Sequence, residues 1–267
     1  MLHEINASDF PQVGQLFAGH EQHLPVTAII EGNYPGRVFV DNDRQPTAAL
    51  VWALGRWAYL DGQDRLPGLE ASLEQLVRDV IIPGSGDIGQ NWFELYTPYK
   101  QHWMRVLKTA LAGWGPERHF EVVFTWSPEK YCHFRTNYAL PADVTIAMVD
   151  LPLVPARVSS AKSVDDSWGA RTSVGAQVML ADRIISQCRS NGFESAGKFM
   201  IDIETFDPSD RHKGYATAAA VTLLDYCLDK KLNPLWETTA ANGISQRMAH
   251  KLGFDKHESY PVYAIEF

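Results

Sequence analysis

Apolar and polar residues along this chain fall into blocks whose period changes, and each period predicts an element. From Gly36 the chain reads GRVFVDNDRQPTAALVW, an apolar β-branched run, a polar turn cluster over 41–46 and a second apolar run. That order predicts a hairpin. Residues 69–80, LEASLEQLVRDV, place Leu69, Leu73, Leu76, Val77 and Val80 at helical spacing. WMRVLKTALAGWG (103–115) predicts a second amphipathic helix stopped by Gly113 and Gly115, and FEVVFTW (120–126) a strand ended by Ser127-Pro128.

The pattern restarts near residue 141. VTIAMVDLPLV (144–154) reads as a strand, and GARTSVGAQVMLADRIISQCRS (169–190) as a second hairpin turning at Ala181-Asp182. KFMIDIETF (198–206) alternates, with Ile201 and Ile203 on one face and Asp202 and Glu204 on the other. A helix, a short strand (PLWETT), another helix and a last strand (YPVYAIEF) follow. The two hairpins share one layout, which reads either as a duplication into two similar halves, 1–140 and 141–267, each built on a mixed sheet, or as the likeness any two β-hairpins have.

One stretch resists explanation by stability alone. DPSDRHKGYATAAA (207–220) puts Gly214 at the opening of a long helix, although Gly costs roughly 1 kcal/mol relative to Ala inside a helix. Asp207-Pro208-Ser209-Asp210 supplies turn and cap chemistry, and Ala216, Ala219, Ala220, Leu223 and Cys227 mark the expected buried stripe. Residues Arg211, His212, Lys213, Gly214, Tyr215 and Ala216 then fall where backbone N–H groups lack helical partners. Those donors, with the helix dipole and two cations, suit a phosphate, and Gly214 lets it approach without meeting a Cβ. A tolerated glycine beside two solvated basic residues is the competing reading of this stretch alone. GxxxxGK[ST] is missing, and no GxGxxG opens a dinucleotide βαβ unit.

Composition narrows the classes. The chain has 267 residues, 45% hydrophobic, with 24 basic against 32 acidic residues and a net charge of −8. That disfavours a general nucleic-acid surface. No segment approaches the roughly 18 uninterrupted apolar residues of a membrane span, and MLHEINASDFPQ lacks the basic and apolar regions of a secretory signal. Cys132, Cys188 and Cys227 are few, odd in number and widely spaced, which reads as reduced thiols in a cytoplasmic protein. His, Cys and carboxylate residues show no metal-ligand spacing such as HExxH, so no metal site is expected.

RHKGYA (211–216) resembles the [RQ]-x-x-G-x-[GA] acyl-CoA signature of the GNAT superfamily of N-acyltransferases. PLWETTAANGISQRMAHKLGF (234–254) is similar to the strand and helix that follow it in that superfamily, with Asn242 and Ser245 matching Asn-x-x-[Ser/Ala] and 251–254 matching its "KLGF" ending. Tyr260-x-x-Tyr263 and GAQVML…ISQCRS fit a bacterial branch that carries a degenerate GNAT-like half ahead of the active one. The resemblance is specific over about 170–267 and faint before it. Asn242 is also a good N-cap, Ile244, Met248 and Leu252 recur toward a core, and Gly253 suits a left-handed helix end.

The resemblance implies an α+β fold, a mixed and mostly antiparallel sheet flanked by helices. It also implies acetyl transfer from acetyl-CoA to an amine, without a metal. Thr205, Phe206, Arg211, His212, Lys213, Gly214, Tyr215, Ala216, Asn242 and Ser245 are the expected cofactor contacts. Backbone groups of Glu204, Thr205 and Phe206 would hold the pantetheine and polarise the thioester, and Glu204 is the expected general base, with Asp202 second. The tyrosine that protonates the leaving thiolate in many members is Ala249 here; Tyr260 and Tyr263 do not match its position. Partners are acetyl-CoA and an amine-bearing acceptor, with neither nucleic acid nor membrane, and a homodimer is left open. The alternative is a CoA-binding or regulatory module without catalysis.

Overall fold

The computed structural model describes residues 1–20, 23–154, 158 and 166–267. A short strand, β1 (His3–Glu4), precedes a 3-10 stretch (Ala7–Phe17) and helix α1 (Leu24–Ile30). The first expected hairpin is β2 (Gly36–Val40) and β3 (Ala48–Ala53). Asp41 fixes its turn, accepting from the N–H groups of Thr47 and Ala48, both at 2.8 Å. Next come β4 (Ala58–Gly62), α2 (Leu69–Leu76), a π turn (Val77–Ile81), α3 (Ile82–Asp87), β5 (Trp92–Tyr96) and α4 (Gln101–Ala110). Strand β6 (Glu117–Trp126), helix α5 (Pro128–Thr136) and β7 (Thr145–Pro152) follow. The second hairpin is β8 (Thr172–Leu180) and β9 (Arg183–Ser195), with Ala181 at a φ of 52° in its turn. The chain ends with β10 (Lys198–Thr205), α6 (Tyr215–Lys230), β11 (Asn233–Thr239), α7 (Gly243–Lys251) and β12 (Phe254–Glu266). No helix among the described residues is long and apolar enough to cross a membrane.

Contacts divide the chain into two units. The first holds Met1–Glu121 and Ser259–Phe267. Its sheet runs β1-β2-β3-β4-β5-β12, antiparallel throughout except for the β4/β5 pair. Strand β3 is buried along its whole length, and Trp52 and Trp103 are fully buried in the core. Trp57, Trp92 and Trp114 are half-buried.

His23 is the buried titratable group of this unit with the clearest consequence. Its Nδ1 lies 2.9 Å from the Phe17 carbonyl, and Phe17, His20 and Tyr59 present rings edge-on to it. Burial disfavours the imidazolium, as does the nearby His20, and the Phe17 bond opposes them only in part; the pKa falls to about 4. The unfolded chain, with a pKa near 6.5, binds the proton first. Stability from this group is therefore complete above pH 6.5 and lost as pH falls toward 4, by about 3 kcal/mol. Urea unfolding from pH 7 to pH 4 should show that slope, and His23→Gln should flatten it; an unchanged slope would contradict the assignment.

The second unit holds Val122–Val154 and Gly169–Glu258. Its strands follow the order β6-β11-β10-β9-β8-β7, with β10 and β11 parallel and the β7-β8-β9-β10 series antiparallel. Helix α6 covers this sheet through Tyr215, Ala218, Ala219, Ala220, Val221, Leu223, Leu224 and Cys227. The alanines are buried completely, so small side chains let the helix lie close against the strands. The expected stripe is corrected at one place: Ala216 is half-exposed, and Ala218 takes the buried position. Helix α7 departs further from expectation, since Ile244 is 63% exposed and Ala249 and Leu252 supply its buried contacts.

The two units repeat one design. In each, an antiparallel series ends in a strand that crosses through helix to a parallel neighbour: β4-α2-α3-β5 in the first, β10-α6-β11 in the second. Asp64-Arg65-Leu66-Pro67-Gly68 precedes α2 as Asp210-Arg211-His212-Lys213-Gly214 precedes α6. The sheet of the first unit is completed by the chain's final strand, β12 beside β5, whereas that of the second takes β6, the strand after α4, beside β11. These are the mixed, mostly antiparallel sheets with flanking helices expected above.

Candidate functional site

Strand β10 leads into the site. Its parallel ladder with β11 runs from Lys198↔Asn233 to Ile201↔Trp236 and stops there, although β10 continues to Thr205 and β11 to Thr239. On the other side β10 stays paired with β9 through Thr205↔Ser186, and the Phe206 N–H donates to the Ile185 carbonyl at 3.1 Å. Backbone direction alternates along a strand, so the amide groups of Ile203 and Thr205 face the side where the ladder has ended.

The turn after β10 is fixed by carboxylates. Asp207 accepts from the Ser209 N–H at 2.8 Å, closing the 3-10 turn Pro208–Asp210. The buried Asp210 carboxylate meets Arg183 of β9 at 2.8 Å and Lys213 at 3.2 Å. The Arg183 hydrogen bond, helped by Lys213, holds its pKa below the usual carboxylate range. His212 then adopts a φ of 63°, and Gly214 a φ of 89° as the N-cap of α6. A glycine cap has no side chain to offer. The N–H groups of Gly214, Tyr215, Ala216 and Thr217 accordingly donate no hydrogen bond among the described residues; Ala218 is the first donor, to the Gly214 carbonyl at 3.0 Å. A Cβ at position 214 would meet no atom of the described residues within 4 Å. The helix start is thus an open row of donors; of the 211–216 run expected from the sequence, only the Arg211 N–H is engaged among the described residues, by the Pro208 carbonyl at 3.2 Å.

Opposite it, Asn242 caps α7 by accepting from the Ser245 N–H at 3.1 Å, and the Ser245 hydroxyl accepts from the Trp236 indole at 2.9 Å. A cavity of about 570 Å3 lies among these pieces, lined from β10 by Ile203 and Thr205, from the turn by Arg211, His212 and Gly214, and from α6 by Tyr215, Ala216 and Thr217. Asn242, Ser245, Arg247 and Lys251 line it from α7. All of these belong to the second unit. The side chains of Arg211 and Arg247 make no hydrogen bond or ion pair among the described residues. Tyr215 donates to Asp143 at 3.0 Å, and that bond, with burial, raises its pKa.

Of the expected contacts, Thr205, Arg211, His212, Gly214, Tyr215, Ala216, Asn242 and Ser245 come together here. Lys213 and Phe206 do not line the cavity: Lys213 is drawn to Asp210, and Phe206 is exposed with its N–H spent on Ile185. Glu204 is exposed on the face of β10 opposite Ile203 and Thr205, and its carboxylate has no hydrogen bond or ion pair among the described residues. Asp202 shares that face, half-buried. Ala249 is fully buried in the core. Tyr260 and Tyr263 belong to the first unit, where the Tyr263 hydroxyl donates to the Met104 carbonyl at 3.3 Å. Arg247, Lys251 and Thr217 are additions; basic residues four apart after the Asn-x-x-Ser cap were the signal for the first two.

Comparisons with known proteins agree with this geometry. The protein described as "Uncharacterized N-acetyltransferase YdfB" of Bacillus subtilis (strain 168) is 19% identical over 278 residues, covering 98% of each chain. The crystal structure of a GCN5-related N-acetyltransferase-like protein from Streptococcus suis 89/1591 superposes with a TM-score of 0.67 at 21% identity, over 97% of this chain and 99% of that one. A tandem GNAT protein from the clavulanic acid biosynthesis pathway superposes at 0.60 with 11% identity, over 100% and 98% of the two chains. The profile of the family described as GNAT acetyltransferase spans residues 14–263, so with its paired halves and open helix start this chain belongs to the GNAT acetyltransferase family.

Proposed function

We propose that the chain transfers an acetyl group from acetyl-CoA to an amine. The observation that carries this reading is the row of undonated N–H groups at 214–217, opening into a cavity where Arg211 lacks a carboxylate partner among the described residues. Such a row binds an oxyanion through both direction and dipole. In this reading the diphosphate of the donor lies at Gly214–Thr217 with Arg211 and His212 beside it, and Asn242 and Ser245 bound the pantetheine arm. The backbone of Ile203 and Thr205, turned toward the end of the β10/β11 ladder, polarises the thioester carbonyl; such electrostatic stabilisation is usually the largest catalytic term. We assign catalysis to residues 141–267 and a supporting role to 1–140.

The reaction needs a base. An alkylammonium has a pKa near ~10.4, so it attacks only after losing a proton. The exposed Glu204 carboxylate, which pairs with no cation among the described residues, takes that proton directly or through water. The amine nitrogen bonds to the carbonyl carbon, the C–S bond breaks, and the electron pair leaves with sulfur. The methyl of Ala249 has no proton to give. With a thiol pKa near ~8.5, releasing the thiolate at pH 7 costs roughly 2 kcal/mol, which slows the step without stopping it.

Ala249 also favours a second reading, a CoA-binding module without turnover. Titration with acetyl-CoA, followed by thiol release assayed over a panel of amines, separates the two: binding without release by any amine supports the module. For an active amine, Glu204→Gln should lower kcat by about a hundredfold and leave the acetyl-CoA dissociation constant unchanged. Undiminished turnover would remove Glu204 from the mechanism.

A further inference from the structure

Coenzyme A carries two separate phosphate groups, a diphosphate and a phosphomonoester on the ribose 3′ oxygen, and the cavity offers more cations than the diphosphate alone requires. Arg247 and Lys251 lie four residues apart on α7, so both project from one face about 6 Å apart along the helix axis. Both line the cavity, on an element separate from the 214–217 row. Neither pairs with a carboxylate among the described residues, in a chain with 32 acidic against 24 basic side chains. The Lys251 ammonium is instead held over aromatic rings, 5.5 Å from the Phe134 centroid and 5.9 Å from that of Tyr138. Asp225 is already engaged by Arg135 at 3.0 Å and by the Tyr131 hydroxyl at 2.6 Å. A lysine in the last turn of a helix complements the dipole, but that accounts for Lys251 alone and leaves Arg247 unexplained.

We propose that Arg247 and Lys251 form a second anion subsite that reads the 3′-phosphomonoester, so that the protein distinguishes CoA thioesters from those of dephospho-CoA. This rests on the acyl-CoA reading above. The guanidinium supplies a fork of donors to the phosphate oxygens and the ring-held ammonium a charge already in place, so little side-chain freedom is lost on binding. Hydrogen bonds to charged groups are worth enough for a preference of at least about tenfold, shrinking as salt is raised.

The test is calorimetric titration of the full-length protein with CoA and with dephospho-CoA, at low and high salt, for the wild type, Arg247→Gln and the Arg247→Gln/Lys251→Gln pair. The expected result is that the wild type favours CoA by about tenfold or more, whereas the double variant binds both ligands equally with its dephospho-CoA affinity intact. That intact affinity also reports a folded cavity; should the pair not fold, the wild-type ratio and the single variant decide. Equal wild-type affinities overturn this proposal and leave the acyl-CoA reading standing. A double variant weakened equally toward both ligands also overturns it, and a wild type that binds neither overturns both.

Discussion

Gly253→Ala should destabilise the protein by about 3 kcal/mol or more and lower its melting temperature by about 10 °C. Gly253 follows α7 with a φ of 85°, a conformation that non-glycine residues adopt at a cost. The larger penalty is steric. An added Cβ would stand 2.6 Å from the Tyr131 nitrogen and 3.0 Å from the Ser127 carbonyl oxygen, both backbone atoms with little freedom to retreat. That close approach is itself bonded: the Ser127 N–H donates to the Gly253 carbonyl at 2.9 Å, tying the end of α7 to the cap of α5. Gly86→Ala is the control, because Gly86 lies in a helix with ordinary φ and open space around it. Thermal and urea unfolding measure the pair, and a loss at Gly253 no larger than at Gly86 would refute the steric argument.

Gly214→Asp should do the opposite, leaving the fold nearly intact while abolishing donor binding. Nothing among the described residues lies within 4 Å of the added Cβ, so the protein bears only the cost of left-handed backbone at φ 89°, about 1–2 kcal/mol. A carboxylate there, however, would occupy and neutralise the N–H row at 214–217 and repel a diphosphate. Acetyl-CoA affinity should fall by about a hundredfold or more, with the melting temperature down by only a few degrees. Wild-type affinity in this variant would show that the donor binds elsewhere and would remove the main support for the proposed function.

Much of the candidate site was legible because its chemistry is local. The glycine of RHKGYA, the Asn242 cap and the left-handed Gly253 each depend on backbone within a few residues, so order along the chain predicts them. Both hairpins and strands β6, β7, β10 and β11 were legible by alternation within one or a few residues of their observed ends. Strands β4 and β5 and helix α5 were not singled out. The strands are five residues each and α5 is largely polar with one fully buried residue, so none presents a sustained period.

Residue order alone thus settled the type of the strongly periodic elements, the repeated hairpin layout and the acyl-CoA signature, because propensity, capping and left-handed backbone act over a few peptide units. The fold added what depends on neighbours distant in sequence. Asp210 draws Lys213 out of the cavity by pairing it alongside Arg183, which arrives from the preceding hairpin. Ile244 faces the cavity rather than the core because α7 buries Ala249 and Leu252 instead. Strand β12 joins β5, and β6 joins the sheet of β11, a choice made by edge hydrogen bonding that periodicity cannot encode. Contacts of that kind depend on which surfaces meet, and only the folded chain brings them together.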